Sequence, residues 1–199
     1  MEDITMSNPI IEAIKNRRST RQFTDEQITE EQMDTLLESA IWAPSGSNSQ
    51  SWLFTAVQNK EVLMKLNDFV REGLQTWTPK DDYISKMTAI RQQTQKEDYN
   101  FYYHAPTLII ASNRPNYNNA IADCALALQN IFLAAESMEL GSCYINQLRW
   151  LNDYEPLRDY LAELGVPREH VICSAAAVGH KAKSSNAPER KPGTVKIIR

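Results

Sequence analysis

The sequence predicts a mixed helix-and-sheet fold built around a single sheet. Segments with helical apolar spacing alternate with single short apolar runs, which calls for helices packed on a sheet. The 199 residues fit one domain. Apolar residues make up 42% and charged residues 23%, close to the globular average and sufficient for a core.

Asn8 followed by Pro9 reads as an N-cap with proline at the first helical position. Ile10, Ile11 and Ile14 then give one apolar face, and the helix should end near Asn16. Thr29-Glu30-Glu31-Gln32 is a capping box for a second helix carrying Met33, Leu36, Leu37, Ala40 and Ile41. The polar run 43–50 breaks it, and Trp52 to Val57 is a strand candidate. Lys60 to Val70 is expected to be helical, whereas about 68–103 reads as a variable helical or lid region. Thr107 to Ser112, bounded by prolines, should be a buried strand.

Asn119 to Leu140 is apolar on nearly all sides and predicts a central buried helix, with Gly141 as its terminating residue. Ser142 to Ile145 is a short strand, Asp153 to Leu164 a helix, Val171 to Val178 a strand of small residues and Thr194 to Ile198 a last strand.

No run of about 18 apolar residues suggests a membrane span, and the first six residues lack the basic and apolar regions of a signal peptide. The three cysteines, Cys124, Cys143 and Cys173, form no CxxC pair, so neither a disulfide framework nor a zinc site is expected. A reduced, cytoplasmic setting fits. Cys124 and Cys143 lie in apolar stretches and read as inert core residues.

The net charge of -4 conceals an uneven distribution. Residues 15–21 carry four Lys/Arg and no acid. Residues 180–199 carry six Lys/Arg and one acid, which leaves the remainder at net -13. Two compact islands in an acidic chain suit a small anion such as one phosphate better than a nucleic acid, which such a surface would repel.

Arg17-Arg18-Ser19-Thr20-Arg21 offers guanidinium and hydroxyl donors suited to phosphate, although a solvated helix C-terminus would look the same. The loop from Ala43 to Trp52 contains Pro44, Ser45, Gly46, Asn48 and Gln50. Its amides could match the imide edge of a flavin or a nucleobase, but by composition it is also an ordinary polar turn. Around Arg190-Lys191, prolines hold two cations on an extended segment that could equally be a solvated tail. No GxGxxG, Walker A, HExxH or GxSxG motif is present.

Taken in order, these pieces resemble the FMN-dependent nitroreductase family. Arg17-Arg18-Ser19-Thr20-Arg21-Gln22-Phe23 matches its Arg-Arg-Ser-x-Arg-x-Phe segment. Ala43 to Trp52 matches Ala/Ser-Pro-Ser-x-x-Asn-x-Gln-x-Trp. Gly141-Ser142-Cys143-Tyr144-Ile145 follows the central helix, and Val178-Gly179-His180 precedes Arg190-Lys191-Pro192.

The resemblance implies an α+β three-layer sandwich over residues 1–199, with a central, mostly antiparallel sheet flanked by helices, forming an intertwined homodimer with FMN at the interface. It places Arg17, Arg18, Ser19 and Arg21 on the FMN phosphate and ribityl groups, with Arg190 and Lys191 closing on the phosphate. Pro44, Ser45, Gly46, Asn48 and Gln50 would come from the other subunit to the isoalloxazine ring. Asn146-Gln147 stands near flavin N5, where many relatives carry Glu-Gly or Gly.

The implied activity is ping-pong hydride transfer from NADH or NADPH through FMN to nitroaromatic, quinone or similar conjugated acceptors. No side chain is expected to be strictly catalytic, since the flavin supplies the redox chemistry. The alternatives are a dehalogenase or flavin-fragmenting oxygenase of the same fold, or a non-enzymatic sensor of a phosphorylated ligand.

Overall fold

A computed structural model describes residues 8–78 and 86–199; residues 79–85, inside the expected lid region, and residues 1–7 lie outside it. Four strands form one antiparallel sheet in the order β1 (Trp52–Val57), β2 (Thr107–Asn113), β4 (Val171–His180), β3 (Leu140–Ile145). Every residue of β2 is buried, as is β4 apart from its two ends. These central strands are covered on both faces, which is why they read as continuous apolar or small-residue runs without alternation.

On one face, α2 (Glu30–Ile41) and α5 (Ala120–Ser137) pack over Ile109, Ala111, Ala176 and Val178. On the other, α3 (Lys60–Thr76) and α7 (Glu155–Glu163) pack over Leu108, Ile110, Ala175 and Ala177. The result is the expected three-layer arrangement. Alternation along β4 is reset by a bulge: Ala111 pairs with Ser174 and Ser112 with Ile172, so Cys173 is the extra residue.

The predicted caps form. Asn8 Oδ1 accepts from the N–H groups of Ile10 and Ile11 to start α1 (Pro9–Asn16), and Thr29 and Gln32 close the capping box of α2. Asn59 caps α3, which runs six residues beyond the expected end because Leu74 is buried and Gly73 lies against Leu151 and Tyr154. In the region expected as a lid, α4 (Met87–Thr94) is followed by a stretch fastened to α3. There Arg71 Nε donates to Thr94 O at 2.7 Å, and Asn67 bonds both Tyr99 O and Phe101 N at 3.0 Å.

Two expectations are corrected. The central helix stops at Ser137, not Leu140, and the left-handed residue that ends it is Glu139 (φ 61°), not Gly141. Leu140 is 1% exposed and pairs with His180, so strand pairing and burial override helical propensity. Gly141 serves close approach instead, because a Cβ there would lie 2.7 Å from the Thr20 side chain.

Thr194–Ile198 forms no strand. Residues 182–199 are all exposed, and the apolar side chains Val195, Ile197 and Ile198 are 79%, 70% and 85% exposed. A strand needs a neighbouring edge to satisfy its backbone, and this segment pairs with none among the described residues. Finally, α5 is long and apolar enough to cross a membrane by length and composition, yet eight of its residues are buried in the core.

Candidate functional site

The first basic island leaves α1 and runs beside β3. Arg17 caps the helix, Ser19 bridges Ser142, and Thr20 N–H donates to Ser142 O at 2.9 Å. The three arginines then diverge. Arg18 folds back onto the helix end, donating to Arg17 O at 2.5 Å and Lys15 O at 2.6 Å, where it satisfies orphan carbonyls.

Arg21 points away to Tyr103. Its Nε donates to the hydroxyl at 3.4 Å, and its guanidinium lies 5.7 Å from the ring centroid. That hydrogen bond raises the Arg21 pKa, against partial burial. Burial pushes the Cys143 thiol up, while the charges of Arg21 and Arg17 pull it down, so both guanidinium groups bear on the same stretch of β3. Among the described residues neither makes an ion pair with a carboxylate.

The loop 43–51 is built differently. It contains a short 3-10 turn (Gly46–Asn48), and Ser47, Asn48 and Gln50 all hold positive φ (53°, 53° and 45°). Such conformations cost non-glycine residues energy and persist only where the surroundings enforce them. Here Ser45 Oγ accepts from Gln50 N–H at 3.1 Å, and Gln50 Nε2 donates to Asn48 Oδ1 at 3.0 Å. Gly46 N–H donates to both carboxylate oxygens of Asp123 at 3.2 Å, and Ser51 Oγ donates to Asn113 Oδ1 at 2.8 Å. Asn48, Gln50 and Pro44 remain exposed.

Asn146 and Gln147 are half-buried at the start of α6 (Gln147–Trp150), and Asn146 N–H donates to Gln147 Oε1 at 3.2 Å. Arg190 and Lys191 lie on the exposed C-terminal segment. It leaves the sheet beside the first island, where Lys181 bridges Phe23 and Ala182 N–H donates to Gln22 O, and makes no later hydrogen bond to the rest of the described chain. Arg190 and Lys191 therefore make no hydrogen bond to the first island among the described residues.

Sequence reasoning missed the loop's anchors, Asp123, Tyr117 and Asn113. The available signal was Asp123 itself, the only charge in the run 120–135, which is otherwise apolar except for Gln129 and Asn130. Tyr103, at positive φ (57°) and bonded to Arg21, was missed as well.

Comparison with known proteins follows this geometry. A model of the nitroreductase family matches residues 14–180. The chain is 33% identical to an FMN reductase (NADPH) of Bacillus subtilis, over 93% of its own length and 71% of that protein. It is 28% identical to an NADPH-flavin oxidoreductase of Vibrio harveyi, over 96% and 73%. Among solved structures, a nitroreductase with bound FMN from Bacteroides fragilis superposes with a TM-score of 0.87 at 39% identity, covering 97% of this chain and all of that one. The chain belongs to the nitroreductase family.

Proposed function

We infer that this chain is an NAD(P)H-dependent oxidoreductase that carries FMN. The observation that carries the reading is the pair of guanidinium groups, Arg17 and Arg21, set beside β3 with no carboxylate partner among the described residues. Unpaired cations fit a phosphate of about -1.5 to -2 charge, as on an ordinary phosphoester. Ser19 adds a hydroxyl to the same segment. Asn146 and Gln147 supply amide donors and acceptors at the end of β3.

FMN, when bound, supplies hydride transfer at N5, from NADH or NADPH to the acceptor. The chain's residues anchor the phosphate and orient the ring. In this reading the acceptors are nitroaromatic, quinone or similar conjugated molecules, taken in a ping-pong cycle.

The site is completed by a second copy of the chain. The loop 43–51 sits at the start of α5, through Asp123, whereas the arginine segment sits beyond its other end, through Ser142. At about 1.5 Å per residue the helix alone sets Asp123 roughly 20 Å from Ser137. A large apolar surface is available for dimerisation. Helix α1 buries no residue and exposes Ile10, Ile11 and Ile14, and Ile41, Trp42, Ile121 and Leu126 are exposed as well. Patches of that kind mark interaction surfaces.

The test is the visible spectrum of the purified protein. A bound-flavin absorption that bleaches on anaerobic addition of NADH or NADPH is expected. A colourless protein that takes up no added FMN overturns the reading.

A further inference from the structure

The loop 43–51 is held from beneath by a carboxylate without a cation. Asp123 is 3% exposed, and no ion pair to it exists among the described residues. Its oxygens accept the Gly46 N–H, and Oδ2 also lies 2.8 Å from the Tyr117 hydroxyl. That hydroxyl is 3.0 Å from Gly46 O and accepts from Ser49 Oγ at 2.9 Å. It carries one proton and faces two acceptors, and the charged one is the stronger.

Gly46 is seated so closely that a Cβ would lie 2.1 Å from Asn119 Nδ2 and 2.6 Å from the Tyr117 hydroxyl. Arg114 lies against this cluster, its guanidinium 4.9 Å from the Tyr117 ring centroid.

Burying a carboxylate with no counter-charge is unfavourable, and such groups persist where something specific is gained. The gain visible here is a backbone shape. Gly46 and Ser49 are pinned on either side of Ser47 and Asn48, and Gln50 follows, so three left-handed residues are held with Asn48 and Gln50 facing out. We propose that Asp123 and Tyr117 are positioning residues that hold the 44–50 loop in its cofactor-binding shape before FMN arrives. The inference rests on the FMN reading above and adds the residues that prepare the loop. Preorganisation of this kind raises affinity by removing the ordering cost from the binding step.

The experiment compares wild type, Asp123→Ala, Tyr117→Phe and Leu128→Ala, the last a core truncation in the same helix whose side chain carries no polar atom that could bond the loop. FMN affinity is measured by fluorescence titration, the bound flavin by its visible spectrum, and stability by thermal melting. Asp123→Ala should weaken FMN binding about ten- to a hundredfold, and Tyr117→Phe about tenfold, as expected for lost charge-assisted contacts. In both, the flavin bands should move toward those of free FMN. Leu128→Ala should melt earlier yet keep its affinity within about threefold.

Wild-type affinity and spectrum in folded Tyr117→Phe and Asp123→Ala overturn the proposal. So does an equal loss of affinity in Leu128→Ala. If Asp123→Ala does not fold, Tyr117→Phe decides alone. A wild type that binds no FMN overturns the cofactor reading itself, and is told apart because it fails before any variant is compared.

Discussion

The loop 43–51 and the C-terminal segment 182–199 are assigned to the same cofactor by resemblance, and their physical states are opposite. The loop is polar and strained, but its backbone is fixed by a buried carboxylate, a tyrosine hydroxyl and an asparagine. The segment carries exposed Val195, Ile197 and Ile198, and beyond the Ala182 N–H to Gln22 O bond it makes no hydrogen bond to the rest of the described chain. One half of the candidate site is thus organised by its own chain. The other half requires a surface that one chain does not offer, and in the proposed dimer the partner supplies it.

The most severe test of that contrast is to delete residues 182–199. Because the segment buries nothing within the chain, the helix and sheet content should be retained. If a partner binds it, light scattering should show a shift from dimer to monomer, and FMN affinity should fall more than about a hundredfold, the equivalent of roughly 2.7 kcal/mol. A truncated chain that remains dimeric and flavin-loaded would break the comparison.

A smaller effect separates the arginines of the first island. Arg21 is free of carboxylates, so Arg21→Ala should weaken FMN binding by about ten- to a hundredfold, within the 1.5–3 kcal/mol range of a charge-assisted hydrogen bond. Arg18 is engaged with the carbonyls of Lys15 and Arg17. Arg18→Ala should therefore cost about 1 kcal/mol of stability and change FMN affinity less than about threefold. Titration and thermal melting of both variants check the division. Equal losses of affinity would mean that Arg18 leaves the helix end when the cofactor binds.

The contrast also explains what the sequence could and could not reveal. The caps at Asn8 and Thr29, the buried strand expected over 107–112 and the alternation of helices with single strands were legible because they depend on local chemistry and periodicity, whereas the antiparallel three-layer arrangement followed only from the resemblance. The end of α5 was not, since Gly141 serves a contact with Thr20 some 120 positions away in sequence. The candidate residues stood out as motifs, but not the different engagements of Arg17, Arg18 and Arg21, because identical side chains in one run differ only in what surrounds them. The role of Asp123 needed the fold, which brings residues 46 and 123 together.

The smallest test uses backbone strain. Ser47 holds φ 53°, is exposed and makes no side-chain hydrogen bond, so Ser47→Gly removes a left-handed penalty of about 1–2 kcal/mol. Against this, glycine adds about 0.4–1 kcal/mol of unfolded-state entropy. The balance is a stabilisation of about 0–1.6 kcal/mol, or an upward shift in melting of at most roughly 3–6 °C for a chain of this size. FMN affinity should nevertheless fall about twofold, because the loop gains freedom it must lose on binding. The counterpart in the tail is Gly193, at φ 77° with open space around it. Gly193→Ala imposes the same kind of strain on a segment that makes no folded contacts in its own chain, so the melting of the monomeric form should not move. Destabilisation by Ser47→Gly, or a melting shift from Gly193→Ala, would place the strain in the wrong region and reverse the contrast between loop and tail.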